Sequence, residues 1–291
     1  MIFRLKSYIL LLIPVLSIFL NSCKWIQEPV QPSAYITQVF DYVYAPGQHA
    51  LAAKKTDVSN FIGEPSDYKD WLYLGGFGGY VVAGFDHNVV NGSGFDFEVL
   101  TLKGSSLEPG IVYVMSDTNG DGLPNETWYE LKGNLYNNFN LNYWVRYYKA
   151  VSDTSNITWK DSNNDKGVLK SGSGSKCTST WWWPNTTTDS ITFHGRRLPD
   201  PYISTVKNGV QSWIVLSNLF TWGYVKNLYG TDYDSDLGGN KFEISNAVDT
   251  LGKAVYLPHI RFIKVQTAVL QQAGVLNEVS TEVRGAKDLR K

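Results

Sequence analysis

A polar loop between two apolar segments holds the residues best suited to bind a metal ion. In the string DTNGDGLPNE, oxygen-bearing side chains stand at Asp117, Asn119 and Asp121, and a glycine follows at the sixth position. This is the first half of a calcium-binding loop, in which oxygen ligands recur at every second residue and the glycine permits a tight turn. The carbonyl oxygen of Leu123 and the carboxylate of Glu126 are candidates for the next ligands. The sequence therefore predicts a structural calcium ion without a catalytic role.

The second half of this loop departs from the helical form of the motif. Trp128 occupies the twelfth position, where a helical calcium loop carries a bidentate acid. Asn125, Glu126 or Glu130 would then have to complete the ligand shell. Because Asp, Asn and Gly also dominate ordinary turns, a polar β-hairpin turn is the alternative interpretation.

Three consecutive tryptophans in a polar stretch predict a ligand-binding surface. Exposed indole rings of Trp181, Trp182 and Trp183 could stack on a sugar ring or on a planar macrocycle. Trp222 and Tyr224 are expected to contribute to the same surface from a neighbouring loop. In the alternative interpretation, Trp181 and Trp183 pack inward and only Trp182 faces the solvent. The sequence favours neither interpretation over the other.

Motifs of the common catalytic sites are absent from the sequence. There is no GxSxG elbow, and the four histidines show no zinc-binding spacing. The glycine-rich string at residues 74–79 leads into a strand and not into a helix, so it indicates a bulge or a close crossing of backbones. We therefore expect a protein that is not an enzyme. The alternative is a carbohydrate-active enzyme, a glycoside hydrolase or lyase, with carboxylates drawn from Asp96, Glu126, Glu130 and the aspartates near Asp234.

The first residues predict export and attachment to a lipid. Arg4 and Lys6 precede an apolar stretch, as in a secretory signal. The string LNSC that ends at Cys23 matches a bacterial lipobox, in which the cysteine is acylated and becomes the new N-terminus. Membrane contact would then be made through the lipid alone. The predicted organisation is a signal peptide at residues 1–22, a tether at 23–33 and a single β-sandwich domain at 34–291.

Composition and spacing indicate an all-β fold. Only 18% of the residues are charged, 14% are aromatic and 26 are glycine. Short apolar segments alternate with turn residues at the spacing of a jelly-roll-like β-sandwich with long loops, and only residues 50–58 have helical character. A formal net charge of −1 gives no indication of nucleic-acid binding. Strands are predicted at residues 80–85, 95–100, 111–115, 127–131, 143–148, 190–193, 212–216, 241–244 and 261–265.

Several long strings resemble a family of Bacteroidetes cell-surface lipoproteins, loosely called PKD-like. They include GFDHNVVNGSGFDFEV, EPGIVYVMSDTNGDGLPNETWYELKG and ISNAVDTLGKAVYLPHIRFIKVQTAVL. The resemblance covers most of the chain and implies a jelly-roll-like sandwich associated with outer-membrane nutrient uptake, including uptake of corrinoids such as vitamin B12 and of glycans. It also implies that Asp117, Asn119 and Asp121 form the cation loop.

Together these observations predict a non-catalytic lipoprotein of the outer membrane, displayed at the cell surface. It would capture a nutrient, a corrinoid first and a glycan second, and pass it to a TonB-dependent transporter. The two alternatives are the carbohydrate-active enzyme and an adhesive surface protein that binds another protein.

Overall fold

Short segments with period-two alternation form strands throughout the computed structural model. The model describes residues 31–66, 71–104, 106–138, 142–152, 155–170, 183–184, 187–274 and 277–291. The signal peptide, Cys23, Trp181 and Trp182 lie outside these described residues. Their predicted roles therefore stay predictions.

The described residues form strands, one short α-helix and three 3-10 turns. The helix α1 spans Ala50–Lys55, and the 3-10 turns span Val58–Phe61, Tyr136–Asn138 and Ile244–Asn246. The strands are β1 (Gln38–Val43), β2 (Leu72–Tyr73), β3 (Tyr80–Val90), β4 (Phe97–Thr101), β5 (Gly110–Met115), β6 (Tyr129–Leu131), β7 (Tyr143–Tyr148), β8 (Ile157–Asp161), β9 (Lys166–Leu169), β10 (Ser190–Gly195), β11 (Tyr202–Lys207), β12 (Val210–Val215), β13 (Tyr233–Asp234), β14 (Gly239–Phe242), β15 (Ala247–Val248), β16 (His259–Thr267) and β17 (Glu282–Asp288).

Two antiparallel sheets form the main sandwich. A six-stranded sheet has the order β1-β3-β16-β5-β6-β15, and a five-stranded sheet has the order β13-β14-β4-β17-β2. A four-stranded sheet, β10-β7-β8-β9, and the two-stranded hairpin β11-β12 complete the described sheets. The predicted all-β sandwich is confirmed, and the predicted helical segment is a helix of six residues.

The main core lies between the six-stranded and five-stranded sheets. Alternate residues of β3, such as Val81 and Ala83, pack in one apolar cluster with Phe97 and Val99 of β4. Because strand side chains alternate between faces, the intervening residues of β3, β16 and β5 lie on the opposite face of the six-stranded sheet. That second face carries the candidate site described below.

The glycine-rich string at residues 74–79 is a close backbone crossing, one of the two alternatives that the sequence left open. Gly75 has a φ of +72°, and a Cβ atom there would lie 2.2 Å from the carbonyl oxygen of Ala45. A Cβ atom on Gly79 would lie 1.7 Å from the carbonyl oxygen of Leu74. Only glycine fits at these two positions, because any larger residue would collide with backbone atoms that cannot rotate away.

Several strands were not predicted from the sequence, and their composition explains why. β17 reads EVRGAKD, where charged residues and Gly285 conceal the alternation, yet five of its seven residues are buried. β1 and β11 were also not predicted; unlike β17, they bury few of their residues. Residues 32–291 cluster into one compact unit, and none of the described helices is long and apolar enough to span a membrane.

Candidate functional site

The outer face of the six-stranded sheet carries a row of side chains that crosses every strand. Each member lies directly opposite the next in the antiparallel register. Directly opposite side chains in a sheet lie close enough to contact one another. The row runs Asp41, Val82, Lys264, Tyr113, Glu130 and Val248.

Two pockets on this face follow the row and meet at Trp128 and Lys264. One pocket, of about 260 Å³, includes Tyr113, Glu130 and His194 in its lining. The other, of about 410 Å³, includes Asp41 in its lining. Trp128 and Lys264 line both pockets. We call the two pockets together the sheet groove; an aromatic and charged cleft of this size is typical of a small-molecule site.

Lys264 lies between two tyrosine rings at the middle of the sheet groove. Its Nζ atom is 4.5 Å from the ring centroid of Tyr80 and 5.4 Å from that of Tyr113, so both rings make cation–π contacts with it. Burial lowers the pKa of the Lys264 ammonium, and the carboxylate of Asp41 partly opposes that shift. Burial also raises the pKa of Tyr80 and of Tyr113.

The carboxylates of the sheet groove are held by other protein groups. Asp41 accepts a hydrogen bond from the Tyr80 hydroxyl at 2.7 Å. Glu130 accepts one from Nε of the buried Arg196 at 2.6 Å. Burial raises the pKa of Glu130, and the nearby Arg196 guanidinium opposes that shift. The groove therefore presents aromatic faces and one ammonium group, with its carboxylates already engaged.

The predicted calcium loop folds around hydrogen bonds from its own backbone. The carboxylate of Asp117 accepts from the N–H groups of Gly120 and Gly122, at 2.9 and 3.1 Å. Asn119 Oδ1 accepts from the N–H of Asp121 at 2.9 Å. Asp121 Oδ1 in turn accepts from the N–H of Leu123 at 2.8 Å. Hydrogen bonds to Asn125 and to the Leu123 N–H lower the pKa of the Asp121 carboxyl.

Glu126 joins the two ends of this loop through contacts with the backbone, and its predicted role as a metal ligand stays a prediction. Its Oε1 accepts from the N–H groups of Thr118 and Asn119, at 2.9 and 3.1 Å, and its Oε2 is buried without a hydrogen-bond partner in the described residues. The Leu123 carbonyl accepts from the N–H of Asn125 at 3.0 Å.

Asp117 has a further partner outside the loop. Arg261 forms an ion pair with its Oδ2 at 2.9 Å. Within the described residues, no three His, Cys, Asp or Glu side chains form a cluster that could hold a metal ion. The loop also carries Pro124 and Trp128 into the lining of the sheet groove, so its conformation shapes one wall of that groove.

The described aromatic residues of the predicted stacking surface do not form one shelf. Trp183 is 8% exposed and packs in the core beneath the four-stranded sheet. Tyr224 is 2% exposed, belongs to a different apolar cluster and accepts a hydrogen bond from the N–H of Leu135 at 3.0 Å. Trp222 is half-buried and lines neither pocket of the sheet groove. The assignment of Trp183 and Tyr224 to a stacking surface is therefore corrected, because buried rings cannot reach a ligand.

The carboxylates proposed for the enzyme alternative occupy separate structural positions. Asp96 is fully buried and accepts hydrogen bonds from Arg290 and from the backbone of Ile244. Asp234 forms an ion pair with Lys241 at 2.8 Å. Glu126 holds the loop described above, and Glu130 pairs with Arg196. None of the three described pockets is lined by two of these four carboxylates.

The residues at the centre of the sheet groove were not singled out from the sequence. The string RFIKVQT places one lysine between apolar neighbours in a core strand, and alternation puts it on the face opposite Ile263 and Val265. Tyr113 holds the equivalent position in IVYVM. A lysine flanked on both sides by apolar residues of a predicted strand was the available signal. The register that places Lys264 against Tyr113 comes only from the fold.

Comparison with known proteins adds no functional information to this geometry. No protein-family model matches the chain, and no curated protein is significantly similar to it. The function has to be inferred from the sheet groove and its surroundings.

Proposed function

We propose that this chain is a non-catalytic binding protein that holds a small nutrient molecule in the sheet groove. The observation that carries the proposal is the transverse row of the six-stranded sheet. It places Lys264 opposite Tyr113, and the two pockets along it add Tyr80 and Trp128 to the same cleft. Aromatic faces bind ring-shaped ligands, and polar groups at the same site fix their orientation.

The carboxylates of the sheet groove are engaged by other protein groups, which favours a binding function over a hydrolytic one. A glycosidase needs one carboxylic acid and one free carboxylate on opposite sides of the scissile bond. In the sheet groove, Glu130 is paired with Arg196, and Asp249 Oδ1 accepts hydrogen bonds from the N–H groups of Leu251 and Lys253, each at 2.9 Å. These interactions favour structural roles for both groups.

The chemistry of the sheet groove fits a ligand with a broad ring face and a polar rim. A corrinoid has both features and is the first candidate, and a glycan is the second. We further propose that Cys23 anchors the protein in the outer membrane at the cell surface and that the captured ligand passes to a TonB-dependent transporter. The lipobox supports the anchor. Metabolic labelling with palmitate should mark the unmodified protein and leave Cys23→Ser unlabelled.

Calorimetry against corrinoids and a panel of glycans tests the proposed function. Binding of one class is expected, and Trp128→Ala should weaken it at least tenfold, which is about 1.4 kcal/mol. Tyr256→Ala is the matched control, because Tyr256 is 80% exposed and lines a separate pocket beside the calcium loop. Equal affinities of Trp128→Ala and the unmodified protein would exclude the sheet groove as the binding site.

We also propose that the loop at residues 117–126 binds calcium. The support is the spacing of its oxygen-bearing side chains and the buried Glu126 Oε2, which has no hydrogen-bond partner among the described residues. Asp117, Asn119, Asp121 and Glu126 would hold the ion, and the carbonyl of Leu123 would add a ligand. The ion would be structural and would stabilise the loop that carries Trp128.

A second candidate function, adhesion to another protein, is favoured by the hairpin β11-β12. Ile203 and Ile214 lie opposite each other on this hairpin and are 49% and 53% exposed. Val206 and Val210 are 65% and 67% exposed. An exposed apolar hairpin with unpaired edges is a frequent protein-contact surface. If adhesion is the function, Ile214→Lys should abolish partner binding while Trp128→Ala leaves it unchanged.

A further inference from the structure

Lys264 and Trp128 line both halves of the sheet groove, and Lys264 is the charged member of this pair. It stands at the centre of the transverse row, opposite Val82 on one side and Tyr113 on the other. It lines both pockets. A ligand that fills the groove would therefore contact its ammonium group.

The ammonium group of Lys264 has three N–H donors, and the described residues accept none of them. No carboxylate oxygen of the described residues lies within the 4 Å that defines an ion pair with its Nζ atom. The tyrosine rings stabilise the positive charge through their faces and leave the donors unused. A partly buried cation with unused donors is a site for an anion, because the anion offsets the cost of burial.

Among the described residues, no charged group around the sheet groove forms an ion pair with Lys264, although the Asp41 carboxylate is near enough to oppose the lowering of its pKa. Glu130 is neutralised by Arg196, and Asp41 accepts the hydrogen bond of the Tyr80 hydroxyl. Asp249 is occupied by backbone N–H groups on its own turn. The lowered pKa of Lys264 agrees with a cation that burial disfavours and that a bound anion would favour.

We propose that the sheet groove selects ligands that combine a ring face with an anionic group, such as a phosphate, sulfonate or carboxylate, and that the anionic group binds Lys264. This inference rests on the proposed function and narrows its ligand class. Tyr80, Tyr113 and Trp128 would contact the ring, and Lys264 would contact the charge. A neutral ring compound would bind at the same place with lower affinity.

Two fluorescent probes of nearly identical shape test the proposal with the soluble domain. 1-Anilinonaphthalene-8-sulfonate carries a sulfonate, and N-phenyl-1-naphthylamine is its neutral counterpart. The sulfonate probe should bind the unmodified protein more tightly than the neutral probe. Lys264→Met should lower the affinity for the sulfonate probe at least tenfold. It should change the affinity for the neutral probe less than twofold. Lys264→Arg should keep the preference, because it keeps the charge.

Matched variants separate this proposal from the proposed function. Lys207→Met removes the same charge from an exposed strand end and should leave both probes unchanged. Trp128→Ala should lower the affinity for both probes. Unchanged affinities in this variant would contradict the proposal that the sheet groove is the binding site. Suppose that Trp128→Ala lowers the affinity for both probes, while Lys264→Met changes the two affinities equally or not at all. That result would contradict the proposed anion site at Lys264. A melting curve of Lys264→Met within about 2 °C of the unmodified protein shows that its fold is intact; if that variant unfolds, Lys264→Gln replaces it and carries the same expectation.

Discussion

Arg196 and Glu130 form a buried ion pair, and its Glu130 member lines the sheet groove. The Nε atom of Arg196 lies 2.6 Å from Glu130 Oε1, and the two side chains are 2% and 14% exposed. The guanidinium carbon of Arg196 also lies 4.0 Å from the ring centroid of Tyr136, and Nη1 of Arg196 donates to the carbonyl of Tyr136 at 2.9 Å. The pair thus joins strand β6 to the segment that follows β10.

Removing Arg196 alone should strongly destabilise the fold. Arg196→Met leaves Glu130 buried without its counter-ion, and a loss of about 3 kcal/mol or more in the free energy of unfolding is expected at pH 7. Denaturant unfolding measures it. The loss should be smaller at pH 4.5, where protonation removes the unpaired charge. The double variant Arg196→Met with Glu130→Gln should recover much of the loss at pH 7; no recovery would mean that the charge of Glu130 is not the cause.

Glu98 should make the stability of the sandwich depend on pH. It lies fully buried in β4, and neither carboxylate oxygen has a hydrogen-bond partner among the described residues. Burial, with a smaller contribution from the nearby Asp234, raises its pKa from 4.5 to about 7. A carboxyl whose pKa is raised by folding favours the folded state at low pH, and this contribution is lost as the pH rises towards the higher pKa.

The variant Glu98→Gln tests this pH dependence. At pH 8, where the unmodified protein carries a buried negative charge, the variant should melt higher by roughly 2–4 °C or more. At pH 5 the two proteins should melt within about 1 °C of each other. Glu64→Gln, at an exposed site, is the control and should show no such pH-dependent difference. A difference of equal size at both pH values would contradict the assignment.

Alanine substitutions at Gly75 and Gly94 distinguish the stability cost of backbone strain from the cost of a steric collision. Both have positive φ, +72° and +77°, but a Cβ on Gly75 meets the carbonyl of Ala45, while a Cβ on Gly94 meets no atom within 4 Å. Gly94→Ala should therefore cost only the strain of the left-handed conformation, about 1–2 kcal/mol. Gly75→Ala should cost at least about 2 kcal/mol more, because the backbone has to move. Similar losses for both variants, measured by denaturant unfolding, would show that the crossing at Ala45 can adjust.

Calcium should raise the melting temperature of the protein through the loop at residues 117–126. At a calcium concentration of 100 times the dissociation constant, binding adds about 2.7 kcal/mol, which corresponds to roughly 5–10 °C. Asp121→Ala should abolish the rise. Asp236→Ala, in another exposed acidic loop, should retain it. If the unmodified protein has the same melting temperature in calcium and in a chelator, the loop does not bind calcium and is an ordinary hydrogen-bonded turn.

Trp182 remains a predicted stacking residue, since Trp183 beside it packs inward. If the tryptophan run and not the sheet groove binds the ligand, Trp182→Ala should weaken its binding at least tenfold, about 1.4 kcal/mol. Trp222→Ala serves as the comparison. Unchanged affinity in Trp182→Ala would remove the tryptophan run from the binding surface.

The sequence by itself determined the all-β fold and most strand positions. Period-two alternation is a local property, so β7 was predicted at its observed bounds of Tyr143–Tyr148, and β5 and β16 were located to within two residues at each end. The close approach at Gly75 was one of two alternatives that the run of glycines ahead of a core strand left open, the other being a bulge. The hydrogen-bonded form of the Asp117 loop follows from local Asp and Asn chemistry.

Only the tertiary structure decided which side chains share the sheet groove. Asp41, Lys264 and Tyr113 are far apart in the chain, and they lie in one row because β1, β3, β16 and β5 pair in a particular order and register. Alternation within β16 decides which face Lys264 lies on, but the strands that pair with β16 decide which residues lie beside it. The burial of Trp183 and Tyr224 was decided in the same way, since packing between sheets depends on contacts distant in sequence.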